Sequence, residues 1–233
     1  MPRNEPDSGV IRPLLPSSVA VSEGPIAQLQ MAPHPEEEVM VAGSAPIRRR
    51  AFVAGRTAAR QALASCGASP AAILAIPGGA PIWPAGWTGS IAHSRTYAGA
   101  AVARRAEFAA LGVDIEAVDR FRPALEGQIL TSDERLALLA LPHQQRQVRL
   151  AAAFCAKEAF YKAQNPLTGR RLGFHDVEVT VDIASGTLEV RLVGASTTCC
   201  EGLFRVEGGL AAAAVAVPDD GGAAFIRRIL EGR

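Results

Sequence analysis

The chain lacks an excess of either charge. Its 233 residues carry 24 Lys and Arg against 23 Asp and Glu, a formal net charge of +1. A general nucleic-acid binder shows a marked basic surplus, so that class is excluded. No run approaches the roughly 18 apolar residues that a membrane-spanning helix needs. The opening residues, Met1-Pro2-Arg3-Asn4-Glu5, lack the basic stretch and apolar core of a secretion signal. Only four cysteines occur, Cys66, Cys155, Cys199 and Cys200, without metal-ligand spacing, and the adjacent pair makes a poor disulfide. A reduced, cytoplasmic protein is the simplest expectation. There is no G-x-x-x-x-G-K-S/T loop, so ATP held in that manner is not expected. What remains is ordinary globular composition, 48% hydrophobic and 20% charged, long enough for one large domain or two small ones.

Two stretches carry the chemistry. The first is L-G-V-D-I-E at 111–116. In a strand, residues two apart share a face, so Asp114 and Glu116 project together while Val113 and Ile115 anchor the other side. Paired carboxylates repel unless a cation lies between them or water surrounds them. The second is F-C-A-K-E-A-F-Y-K-A at 154–163, in a helix expected over 145–163 and ended by Pro166 and Gly169. Glu158 and Lys162, four apart, share a face; a plain surface ion pair is the alternative, but the surrounding apolar residues set them near a packed surface.

Upstream, residues 1–45 read as a Pro- and Ser-rich arm with one short strand at 18–21, and Glu36-Glu37-Glu38 as a solvated acidic face. A helix is expected over 48–64, weakened slightly by Gly55. Arg49, Arg56 and Arg60 lie 7 and 11 residues apart, close to whole turns, and no acidic residue lies between 48 and 64 to pair with them. Either a solvated basic face or a phosphate site fits, since guanidinium matches phosphate geometry. Loops follow at Gly78-Gly79-Ala80-Pro81 and Trp83-Pro84-Ala85-Gly86, then strands at 89–94, ending beside His93, and 97–103. A helix at 132–141 is marked by Thr131/Ser132 and Glu134; alternation predicts a hairpin of 176–182 and 187–192 turning at Gly186. Strands at 203–206 and 210–217 and a helix at 223–230 close the chain. The order in each half, long helix then Gly-punctuated strands, suggests two similar lobes with a cleft between. Three carboxylates on two elements, with cations nearby, are the parts of phosphoryl-type transfer on a divalent ion.

The G-V-D-I-E and F-C-A-K-E-A-F-Y-K-A pair resembles the two-part signature of the 4′-phosphopantetheinyl transferases. The larger surfactin- and enterobactin-type branch fits best, close to mycobacterial-type members. The Arg-rich helix, Gly79–Pro81, the G-S-I-A-H-S ending near His93 and L-G-F at 172–174 occur in the family's order. The resemblance implies an α+β fold of two pseudo-symmetric lobes, each a small antiparallel sheet packed with a long helix. It also implies an active site between the lobes. The expected division is 1–45 arm, 46–110 first lobe and 111–233 second lobe. The implied substrates are coenzyme A and an apo acyl or peptidyl carrier, as found in polyketide, nonribosomal peptide and siderophore synthases, and the protein is expected to be a monomer.

Carried over, Asp114, Glu116 and Glu158 hold Mg²⁺, with Mn²⁺ an alternative, and Glu158, Lys162 and Asp114 are catalytic. Arg48, Arg56 and His93 grip the 3′-phosphate end of coenzyme A, with Gly79, Ala80, Pro81 and the Ala92 backbone near the adenosine. Lys157 and Lys162 hold the pyrophosphate and pantetheine side. Two departures bear on nucleotide affinity. Ala80 stands where surfactin-type members have a lysine, for which Arg49 or Arg60 is expected to compensate, and Ala92 removes a hydroxyl. A Mg²⁺-dependent phosphodiesterase or nuclease would use the same carboxylates, whereas a non-catalytic scaffold for an acidic protein predicts no metal dependence. A carrier-docking surface is expected between Glu116 and Phe154, with Arg120, Phe121, Arg122, Arg135 and residues 136–141.

Overall fold

The computed structural model describes residues 9–69, 71–76 and 79–231. The opening Met1–Glu5 stretch and Gly78 lie outside them.

The first lobe is built on α2 (Pro46–Ser65), which starts at a proline whose fixed φ suits the first helical turn. Its small-residue face, Ala51, Ala54, Ala58 and Ala62, packs on a three-stranded antiparallel sheet. That sheet has the order β1 (Ala20–Pro25), β3 (Tyr97–Arg104), β2 (Trp87–His93). Gly55 permits the closest approach: a Cβ there would stand 2.7 Å from the Ile91 side chain. The cost in helix propensity is thus matched to a packing need that lies outside the helix.

The second lobe is a five-stranded antiparallel sheet in the order β4-β8-β7-β6-β5. Its strands are β4 (Phe108–Ala117), β5 (Val177–Asp182), β6 (Thr187–Leu192), β7 (Thr198–Glu207) and β8 (Leu210–Pro218). The sheet packs against α5 (His143–Thr168) and α6 (Gly222–Glu231), with α3 (Glu126–Ile129) and α4 (Ser132–Leu139) covering one end. Two lobes, each an antiparallel sheet with one long helix, agree with the expected architecture. The 110/111 division falls inside β4. The long helix outruns its expected end, because Pro166 sits in the last turn and the stop comes at Gly169, φ 68°. At α4, Thr131 accepts a hydrogen bond from the Glu134 N–H and the Glu134 carboxylate accepts one from the Thr131 N–H, a complete capping box.

The arm is less loose than its composition suggests. Val10, Ile11, Leu14, Leu15 and Val19 join Val113, Ile115, Ala212 and Ala214 in an apolar cluster between the sheets. Strand β1 runs six residues rather than four and pairs with β3. The acidic run is a solvated face at Glu36 but not at Glu37, while Glu38 is partly exposed. It opens α1 (Pro35–Met40), and Glu37 is completely buried.

Candidate active site

Strand β4 and helix α5 meet at a glycine. A Cβ on Gly112 would lie 1.8 Å from the Ala159 carbonyl oxygen, so only glycine lets strand and helix come this close. The contact sets Asp114, two residues along the strand, against the helix face that carries Glu158 and Lys162. Lys162 Nζ donates to Asp114 Oδ1 at 2.7 Å and to the Val113 carbonyl at 3.0 Å. Asp114 Oδ2 is buried and takes no N–H or O–H donor among the described residues, while the Cys155 thiol lies against the same carboxylate. Val113 and Ile115 point the other way into the core, as alternation requires.

Asp114, Glu116 and Glu158 line one cleft of about 340 Å³ together with Ala92, His93, Arg120 and Lys162. Glu116 is paired with Arg120, whose guanidinium lies 5.0 Å from the Phe154 ring centroid. Glu158 is half-buried; burial first, then the Asp114 charge, push its carboxyl above the ordinary glutamate range. Among the described residues no three His, Cys, Asp or Glu side chains stand close enough to enclose a metal ion. The donor set nevertheless fits a hard cation: the oxygens are carboxylates, and Asp114 Oδ2 is left without an N–H or O–H donor among the described residues.

A second cleft of about 1010 Å³ adjoins it, and Ile91, His93 and Lys162 line both. Arg48, Arg56, Arg105, Arg170 and Arg171 wall the larger one with Gly79, Ala80 and Pro81, and no Asp or Glu among the described residues does. This is a cationic interior at the upper end of small-ligand cleft sizes. Arg56 is almost wholly buried, and burial lowers its pKa. Crowding in the cleft, then the Lys162 charge, hold the His93 imidazole below the usual histidine value.

Several expected roles shift. Lys157 is 0% exposed and lines neither cleft. Its ammonium donates to the Ile129 carbonyl (2.9 Å), Glu134 Oε2 (2.7 Å) and the Phe174 carbonyl (2.6 Å). One step along a helix turns the side chain by about 100°, so adjacency to Glu158 does not make it a neighbour in the site. Lys157 is thereby corrected from a phosphate grip to an internal tie. Arg49 and Arg60 are not free to replace the lysine missing at Ala80, because they pair with Glu38 and Glu37. Ala92 is buried and lines the carboxylate cleft rather than the arginine-walled one. Arg105, Arg170 and Arg171 were not singled out from sequence; their signal is the paired arginines at 104–105 and 170–171, on either side of the site. Arg170 is already bound to the Leu230 carbonyl.

Residues 36–103 match the 4′-phosphopantetheinyl transferase N-terminal domain, and residues 110–216 match the 4′-phosphopantetheinyl transferase superfamily. The 4′-phosphopantetheinyl transferase Npt of Nocardia iowensis is 38% identical over 180 residues, covering 77% of this chain and 80% of its own. The chain belongs to the 4′-phosphopantetheinyl transferase superfamily. The transferase PptT of Mycobacterium tuberculosis is 36% identical over 197 residues, covering 79% of this chain and 86% of its own. Enterobactin synthase component D of Salmonella typhimurium is 34% identical over 169 residues, 69% and 66% respectively. The larger, surfactin- and enterobactin-type branch is thus the right one. Within that superfamily, the Asp114 strand and the Glu158 helix lie in the second matched region, and the Arg48 and Arg56 helix lies in the first.

Proposed function

We propose that the two clefts act as one site. The 4′-phosphopantetheine of coenzyme A passes to a serine hydroxyl of an apo acyl or peptidyl carrier protein, releasing adenosine 3′,5′-bisphosphate. The observation that carries this reading is an acid-free, arginine-walled cleft opening across Lys162 and His93 into a carboxylate-lined one. A nucleotide with a pendant diphosphate needs the first, and a metal-assisted displacement at that diphosphate needs the second.

Arg48, Arg56 and His93 bind the 3′-phosphate end, and Gly79–Pro81 borders the adenosine. Asp114 and Glu158, with Glu116 once released from Arg120, would hold Mg²⁺ or Mn²⁺. Such an ion neutralises diphosphate charge and polarises the phosphorus centre. Glu158 accepts the serine proton, and burial with the Asp114 charge makes it a stronger base than an ordinary glutamate. As the serine oxygen bonds to the β-phosphorus, the bridging P–O bond breaks. The ammonium of Lys162, fixed by Asp114 and the Val113 carbonyl, stabilises the leaving phosphate. Leu136 and Leu139, exposed on α4 beside Arg135, with Arg122, give an apolar and basic surface suited to an acidic carrier. The buried Phe121 and Leu138 drop out of that surface and serve the core instead.

The test is incubation with coenzyme A, Mg²⁺ and a panel of apo carriers, read by mass spectrometry. Phosphopantetheine mass gained on a carrier supports the reading. Cleavage of coenzyme A or nucleic acid without that gain favours a phosphodiesterase or nuclease and overturns it.

A further inference from the structure

Helix α1 presents a buried carboxylate to which the proposed chemistry gives no role. Glu37 is 0% exposed and contacts no cleft. Its Oε1 accepts the Ile73 N–H at 2.9 Å; Oε2 accepts the His34 N–H at 3.1 Å and pairs with Arg60. The backbone of the same residue is used again: the Ile73 carbonyl accepts Arg56 Nε at 2.7 Å. Ile73 is itself fully buried. One residue is therefore held through both of its backbone polar groups, by a carboxylate on α1 and a guanidinium on α2.

The consequence falls on Arg56. With Nε engaged, and the guanidinium carbon 4.5 Å from the Phe52 ring centroid, the fork has one orientation. No protein acceptor among the described residues takes its two terminal nitrogens, and Arg56 lines the arginine-walled cleft. A guanidinium held in this way presents two parallel donors, the arrangement that grips a phosphate.

We propose that Glu37 is a positioning residue for coenzyme A: through the Ile73 backbone it fixes the direction in which Arg56 meets the 3′-phosphate. This rests on the reading of Arg56 as a 3′-phosphate ligand. Two further facts agree. The Glu37 charge offsets part of the burial penalty that lowers the Arg56 pKa. The segment beyond Ile73 forms an antiparallel bridge from Ala75 to Pro81, so the same anchor steadies the Gly79–Pro81 border of the cleft.

The experiment compares binding of coenzyme A and dephospho-coenzyme A, which lacks only the 3′-phosphate, by calorimetry on the full chain. Wild type, Glu37→Gln, Arg56→Gln and the double variant are measured. Glu37→Gln is expected to weaken coenzyme A by about tenfold, with dephospho-coenzyme A within about twofold. In the double variant the two losses should be clearly less than additive. Equal weakening of both ligands, no weakening, or additive losses would each overturn the inference. If Arg56→Gln itself fails to discriminate the ligands, the underlying reading of Arg56 falls instead. Should Glu37→Gln not fold, Glu37→Asp carries the test: it keeps the charge but draws it back from Ile73, and it must still erode the discrimination.

Discussion

Glu158 and Lys157 are neighbours in sequence with opposite fates. Glu158 faces the cleft, half-buried and without a side-chain hydrogen bond among the described residues, so Glu158→Gln should fold normally. If it is the general base, turnover falls about 10²–10⁴-fold, with an unchanged melting temperature. Steady-state transfer assays beside thermal melts check both halves. Lys157 faces the interior, where three acceptors satisfy its ammonium. The sequence showed two lysines flanking a glutamate; it could not show that a one-residue step carries the first lysine into the protein. Glu37 escaped for a different reason. Its partners lie 23 and 36 residues away, beyond the reach of any local pattern. Burial would raise the Glu37 pKa, but the donors from Ile73, Arg60 and His34 outweigh it and hold the carboxyl below the ordinary 4.5. The unfolded chain therefore binds that proton more readily than the folded one. Its stabilisation is complete above pH 4.5 and lost as the pH falls through the lower folded value. Urea midpoints should accordingly show the gap between wild type and Glu37→Gln narrowing as the pH drops from about 6 to about 3.5.

At the scale of elements, the strand–helix contact at Gly112 sets the carboxylate geometry. A methyl group there would collide with the Ala159 backbone, which cannot move without shifting the turn that bears Glu158. Gly112→Ala should lower the melting temperature and transfer activity together, by overpacking of about 1–3 kcal/mol. Retained activity in a folded variant would show that Asp114 and Glu158 tolerate wider separation. Elements with strict periodicity were legible: the Thr131–Glu134 cap, the hairpin of β5 and β6 turning at Gly186, and the Ala-rich strands β3 and β8. The arm was not, because Pro and Ser masked the apolar set of Val10, Ile11, Leu14 and Val19, whose cover comes from strands 80 and more residues downstream. Gly55 reads as a weak point in its helix, yet it and Gly112 are close-packing sites between elements.

For the whole molecule, the apolar clusters of the two lobes and the one between them contain none of the cleft carboxylates. The metal of the proposed mechanism is thus expected to serve the reaction rather than folding. Chelation should abolish transfer, and excess Mg²⁺ restore it, while the melting temperature without substrate stays unchanged. No helix among the described residues is long and apolar enough to cross a membrane. The two-lobe plan followed from the repeated order of helix and strands. The arginine wall did not, because Arg48, Arg105 and Arg171 come from distant parts of the chain and meet only when the lobes close.

Lys162 and His93 form a partition with a chamber on either side. The nucleotide donor and the protein acceptor can enter through separate doorways, neither blocking the other, and the phosphorus centre need only change hands across the threshold. Such a floor plan favours direct passage in a ternary complex and leaves no call for the pantetheine arm to rest on the enzyme between owners.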